Sequence, residues 1–214
     1  MHIETLNVAG INPAMHAMRN PMNSWQKNDT IIRIMPTEPG NAQVVEKVGP
    51  NDKELSIRLQ KAGPEHCKHL RMVLVWADIE MPRYWWQEFD TYRAGVEKVS
   101  CSTMHKLTSR PLEMNDFDVD GGSNASFGLL EETIPKLNEM MDQYLMEKDA
   151  DEKKRIWRGI IQTLPQSYIQ RRTVMMSYAA LRNIVRQREG HKLKEWKIFI
   201  DWVHTLPESW MIFE

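Results

Sequence analysis

An α+β fold is what the sequence predicts, and three observations predict it. Segments rich in Val and Ile, HIETLNVAG and HLRMVLVWADIEMP, fall in the first 82 residues and read as strands. Apolar residues at helical spacing dominate from about residue 129 onward. No repeat or low-complexity tract separates the two regions, so 1–214 reads as a single domain with strands early and helices late.

HIETLNVAG places Ile3, Leu6 and Val8 ahead of a Gly turn, and INPAMHAMRNP follows as a short helix with Pro13 near its start and Pro21 closing it. NDKELSIRLQKAGP offers Asn51 as a cap, Leu55, Ile57 and Leu59 as an apolar set, and Gly63-Pro64 as a stop. The strand that ends at Pro82 leads into RYWWQEFDTYRAG, whose Tyr84, Trp85, Phe89 and Tyr92 recur at helical spacing up to Gly95. Residues 108–128, with adjacent Gly and several Asp, Ser and Asn, read as a mobile loop. Helices are expected at about 129–148, 151–164, 173–189 and 193–206, with Pro165 breaking the second from the third and a Trp-rich tail after the last.

Hydrophobic content of 42% with eight Trp supplies a core, and 27% charge is ordinary for a soluble chain. The formal net charge of -1 gives no global attraction to nucleic acid or anionic lipid, so neither is expected as the main partner. That total hides segregation: residues 113–152 hold twelve acids and two bases, whereas 153–197 hold twelve bases and two acids. The first residues lack the basic start and apolar run of a secretory signal, and no segment approaches the roughly 18 apolar residues of a membrane span. Two cysteines, Cys67 and Cys101, are too few for a disulfide framework, and a reducing, cytoplasmic setting fits. The fifteen Met suit an adaptable core or interface.

The stretch RNIVRQREGHKLKEW, 182–196, crowds Arg182, Asn183, Arg186 and Arg188 onto a half-buried helix. Val174, Leu181 and Arg188 lie seven apart, so Arg188 continues an apolar stripe rather than a solvent face. A guanidinium aimed inward needs an anion or fixed acceptors. Two readings fit: an ion pair with an acid from 113–152, or contact with an anion or a pyrimidine carbonyl. Asn183 is either exposed or bonded to the amide edge of a planar ligand. His66 and His69 flank Cys67 and look like part of a metal site, but no further ligand stands at diagnostic spacing, so no metal is expected. Cys101 lacks a nucleophile signature, and Tyr84, Trp85 and Trp86 suit packing more than base or flavin stacking. Composition and spacing stop at a cationic helical pocket for a nucleotide-like polyanion.

The order of EHCKHLRMVLVWADIEMPRYWWQEFDTYRAG, VSCSTMHKL and LPQSYIQRRTVMMSYAALRNIVRQREGHKLKEW resembles the flavin-dependent thymidylate synthase family, also called thymidylate synthase complementing protein, over roughly 66–210. The resemblance implies a short antiparallel sheet with a helical C-terminal half. It also implies FAD, methylenetetrahydrofolate and NADPH as cofactors, a homotetramer with flavin between subunits, and conversion of dUMP to dTMP without a protein nucleophile. Carried over by position, Arg188 would bind the pyrimidine carbonyl edge and polarise the ring. Arg93, Asn183 and Ser177 would serve the cofactor, and Glu88 and Cys101 the substrate.

This chain departs from the family at several of these positions. Thr91 and Tyr92 replace the first two members of an Arg-His-Arg group, Glu88 replaces a Gln, and Ser177 and Ala179 replace an Asn and an Arg. Val96, Lys98, Val99, Cys101, Thr103 and Met104 stand where the family has Ser, Asn, Glu, Ser, Arg and Tyr. Cationic substitutes are available in Lys98, His105, Lys106, Arg171 and Arg172. A carboxylate at 88 prefers a donor such as a cytosine amine, so a flavin enzyme acting on a cytidine nucleotide is an alternative. A helical nucleic-acid reader built on 153–197, and a nucleotide-binding descendant without turnover, are two more.

Overall fold

In the computed structural model, residues 1–38, 41–119 and 122–214 are described. The chain runs β1 (His2–Ala9), α1 (Ile11–Ala17), β2 (Ile31–Glu38), β3 (Asn41–Lys47), α2 (Pro50–Ala62), β4 (Leu74–Pro82), α3 (Arg83–Phe89), β5 (Val96–Ser100) and α4 (Thr103–Lys106). It continues through α5 (Asn124–Met146), α6 (Ala150–Thr163), β6 (Ile169–Ser177), α7 (Tyr178–Arg188), α8 (Lys194–His204) and α9 (Trp210–Phe213), with short 3-10 turns between. One sheet has the strand order β1-β4-β6-β5, and β2 and β3 form a separate antiparallel hairpin. The architecture is α+β, as the sequence predicts.

Three differences from the sequence expectation matter. Residues 169–177 form a strand, so the expected helix at 173–189 begins at Tyr178 and Val174 lies on β6. Thr173 and Val174 favour the extended chain, and Ser177 then caps the helix, its Oγ accepting from the Ala180 N–H at 3.2 Å. The hairpin β2–β3 and the strand β5 add to the sheet content beyond the strands expected. The expected helix running to Gly95 stops at Phe89 instead; Gly95 sits in a left-handed turn (φ 71°) where a Cβ would lie 2.6 Å from the Ser177 Oγ.

The chain resolves into two compact units, each assembled from separate stretches. The first comprises Met1–His2, Ile79–Thr91 and Val99–Arg172. Its core joins Leu107, Leu112 and Phe117 to Ile134, Leu137 and Met141 of α5 and to Ile160 and Leu164 at α6. The segment expected as a mobile loop, 108–128, is therefore anchored between 110 and 117, and its last residues belong to α5 from Asn124. Asn138 donates to the Leu112 carbonyl at 3.0 Å and accepts its N–H at 2.8 Å, and Arg110 forks onto Asp116. Asp120 and Gly121 of that expectation lie outside the described residues. The aromatic run of α3 is packing: Trp85 and Phe89 stack at 4.9 Å, fully buried, and the Trp86 Nε1 donates to the Gln170 carbonyl at 2.9 Å. Burying each such ring contributes about 1.5–3 kcal/mol.

The second unit comprises Ile3–Asp78, Tyr92–Lys98 and Thr173–Glu214. Tyr178, Leu181 and Ile184 of α7 are buried, as are Trp196, Phe199 and Val203 of α8. The cap of α2 comes from 22 residues upstream rather than from Asn51: the Asp29 carboxylate accepts from the Asn51 and Asp52 N–H groups at 2.9 and 3.0 Å. Gly49 is required at that junction, because a Cβ there would lie 2.2 Å from the Asp29 carboxyl carbon. Among the described residues no helix is long and apolar enough to cross a membrane.

The residues that resemble a metal site separate. His66 is exposed and 3.6 Å from Glu65, and Cys67 Sγ reaches the Gly63 carbonyl at 3.2 Å. His69 is 3% exposed with Nε2 2.8 Å from the Ser56 Oγ. Burial pulls the His69 pKa from 6.5 down to about 4, with Arg182 adding a smaller push in the same direction. The folded value lies below the unfolded one, so stability is fully present above about pH 6.5 and falls as pH drops towards 4. The contribution is about 3 kcal/mol at most. Urea titrations at pH 7 and 4.5 should show His69→Gln losing less stability across that interval than the parent; equal losses would mean that His69 is not the group responsible.

Candidate functional site

Helix α7 follows β6 directly and carries two cationic stripes. Tyr178, Leu181, Val185 and Arg188 follow one line at spacings of three and four, while Ala179, Arg182, Asn183 and Arg186 follow another. The crowding of arginines in the sequence is therefore two different environments on one helix.

On the first stripe the half-buried Arg188 lies against two rings that touch each other edge to face. Its guanidinium carbon is 4.5 Å from the Trp196 ring centroid and 5.5 Å from that of Tyr92. Nε donates to the Tyr92 hydroxyl at 2.8 Å, and Nη1 lies 3.1 Å from His191 Nε2. The Tyr92 hydroxyl in turn donates to Gln187 Oε1 at 3.2 Å, and Trp196 meets Tyr92 edge to face. These contacts together fix the direction of a charge that would otherwise swing on a long stem. Tyr92, His191 and Trp196 are the residues that sequence reasoning missed. His191 stands three beyond Arg188, a signal that was available; Trp196 reaches it only through the fold.

On the second stripe α7 borders a cavity of about 420 Å³, lined by Ala179, Arg182, Asn183 and Arg186 together with Cys67 and Arg71 from the turns before β4. Asn183 is exposed there, its Oδ1 accepting from Gln187 at 2.9 Å. Arg182 is 8% exposed; Nη2 donates to the main-chain oxygen of Glu214 at 3.0 Å. Burial, and then the Arg186 charge, draw its pKa below the usual arginine value. Ser177, expected at the cofactor, is buried and spends its hydroxyl on the helix cap. Arg93 is exposed in the turn before β5, where its carbonyl accepts from Val96.

Glu88 and Cys101 belong to the other unit. Glu88 is half-buried near the end of α3, and its carbonyl accepts from the Thr91 hydroxyl at 2.7 Å. Cys101 is an exposed free thiol at the end of β5, its main chain bonded to Arg171 and Gln170 of β6. It borders a second cavity, of about 370 Å³, with Lys106, Arg110 and Arg171 around it. Arg172 is engaged elsewhere: it binds Asp90 at 2.8 Å and lies over Trp86 at 4.3 Å. Arg171 is 3.8 Å from Glu80, and Arg155 is 3.3 Å from Glu152. The cationic block 153–197 is thus divided between the units and partly matched by acids. Among the described residues no group of three or more His, Cys, Asp or Glu side chains is placed to hold a metal ion.

The fold is that of the flavin-dependent thymidylate synthases. The chain is similar, at a TM-score of 0.75 and 17% identity, to flavin-dependent thymidylate synthase ThyX from Helicobacter pylori in complex with FAD and dUMP, over 99% of this chain and 98% of that one. A second structure of ThyX from Helicobacter pylori with FAD and dUMP matches at a TM-score of 0.72 and 16% identity, over 98% and 95%. No family model matches the chain, and no curated protein does.

Proposed function

We propose that this chain is a flavin-dependent thymidylate synthase: it transfers a one-carbon unit from methylenetetrahydrofolate to C5 of a pyrimidine deoxynucleotide, dUMP to dTMP, with FAD as cofactor and NADPH as reductant. The observation that carries this is fold likeness along nearly the whole chain to a protein holding FAD and dUMP, joined to an arginine whose direction is set by two rings at position 188.

The residues present suit FAD. The cavity of about 420 Å³ lies within the range of small-molecule sites, and it offers an exposed amide at Asn183 with guanidinium groups beside it. FAD, when bound, would supply the electrons that convert a transferred methylene to a methyl group, drawn from NADPH. Asn183 would meet the flavin's polar edge, with Arg93 a further contact. Ser177 would act through the helix it caps. Arg188 would direct its N–H groups at the pyrimidine carbonyl edge and draw electron density from the ring. Glu88 and Cys101 would contact the nucleotide, and Cys101 need supply no nucleophile. The proposal extends to a cytoplasmic homotetramer, which would cover exposed apolar residues such as Ile34 and Val44 of the β2–β3 hairpin.

Purified protein should be yellow, and with methylenetetrahydrofolate and NADPH it should release tritium from C5-labelled dUMP. Release from labelled dCMP instead would move the substrate to a cytidine nucleotide. A colourless protein that takes up no added FAD would end the flavin reading.

A further inference from the structure

Three arginines border the cavity beneath α7, and no carboxylate side chain lines it. Among the described residues, Arg71, Arg182 and Arg186 have no side-chain carboxylate within ion-pair distance. Elsewhere this chain does match its buried arginine: Arg19, 3% exposed, lies 2.6 Å from the Asp52 carboxylate. Arg182 is nearly as buried; its Nη2 has the Glu214 main-chain oxygen at 3.0 Å, but its Nε has no hydrogen-bond partner and its Nη1 meets only the weak acceptor Cys67 Sγ, at 3.5 Å. A buried guanidinium with one N–H unpartnered and no side-chain carboxylate beside it is costly, and Arg186 one turn away adds like charge. Arg186 itself has a long 3.4 Å bond to the Glu214 main-chain oxygen. Two amides share the cavity: exposed Asn183 and Gln60, whose Oε1 is buried without a partner.

We infer that this cavity is a phosphate-binding site for a nucleotide, held by Arg182 and Arg186 with Arg71 at the rim. Guanidinium forks match the oxygens of a phosphate, and a polyanion between them would offset both the burial of Arg182 and its repulsion from Arg186. The amides of Asn183 and Gln60 suit the polar edges of the same ligand. Ala179 faces the same space with a methyl group, so the cation on this wall lies one turn further along the helix. The identity of the nucleotide as FAD rests on the flavin reading above; the phosphate site itself does not.

Calorimetric titration of the full chain with FAD, riboflavin, ADP and inorganic pyrophosphate separates the two. FAD should bind at least ~10-fold more tightly than riboflavin, and pyrophosphate should compete with FAD. Arg186→Gln and Arg71→Gln should each weaken FAD and ADP by ~10-fold while leaving riboflavin affinity unchanged. Both residues are exposed, so these variants keep the test open where Arg182→Met fails to fold. Equal affinity for FAD and riboflavin, or indifference to Arg186→Gln, would overturn the phosphate site and leave the flavin reading standing. ADP binding that depends on Arg186, with no flavin bound, would support the site and remove the flavin reading. Binding of neither would remove both.

Discussion

Arg188→Ala should lower kcat/KM for dUMP by about 10²–10³-fold, the usual consequence of deleting a donor aimed at developing charge. Stability should fall too, since the ring contacts with Trp196 and Tyr92 are each worth about 0.5–1 kcal/mol and the Tyr92 hydrogen bond about 1 more, so kinetics are compared on protein shown to be folded. Arg188→Lys should recover little activity. An ammonium keeps the charge but has no plane to lie against a ring and no fork to meet a carbonyl edge. Tyr92→Phe gives the graded counterpart: the ring stays and the acceptor for Nε goes, so kcat should fall more than KM rises. Steady-state kinetics beside thermal melts of the same preparations make the comparison. Turnover within threefold of the parent in Arg188→Ala would remove this residue from the chemistry.

The charge pattern of α7 was legible in the sequence, and its geometry was not. Arg188 on the Leu181 line follows from helical spacing once the helix exists. The starting point was misplaced by about five residues, because Thr173 and Val174 can be read at either period and the ladder of β6 resolves the choice. Arg188 meets the Tyr92 hydroxyl and the rings of Tyr92 and Trp196, whose relation to position 188 is set by tertiary packing. Asn183 was expected at a ligand and stands at a cavity. Ser177 was expected at the same ligand and carries a local duty, which its Ser-x-x-Ala spacing before a helix already allowed. Arg71, 111 residues upstream of Arg182, has no sequence signal linking it to that cavity. The cap of α2 is similar: Asn51 satisfies every local rule, and the group that does the work is the distant Asp29.

That distant cap belongs to a buried network whose removal should have the largest effect on stability. Asp52 is fully buried and accepts from the Arg19 Nε at 2.6 Å, from the Thr30 N–H at 2.9 Å and hydroxyl at 2.5 Å, and from the Asp29 N–H at 3.2 Å. The Arg19 Nη2 is as close to the same oxygen, at 2.6 Å, but is not aligned to bond it, so most of the neutralisation of Arg19 comes through charge rather than through a second hydrogen bond. Asp52→Ala would strand that guanidinium and three other donors away from water, at a cost of about 3–5 kcal/mol. Asp52→Asn keeps one acceptor but not the charge, so it should remain strongly destabilised. Arg19→Met combined with Asp52→Asn removes the stranded cation and should recover part of the loss, which urea melts of the parent, Arg19→Met, Asp52→Asn and the double variant would resolve as a coupling energy. Since α2 carries Gln60 to the cavity, weakening its start should also loosen ligand binding there without touching an arginine of the site. A cost below 1 kcal/mol for Asp52→Ala would mean that water reaches Arg19 and that the junction of α2 with Asp29 is held by something other than this carboxylate.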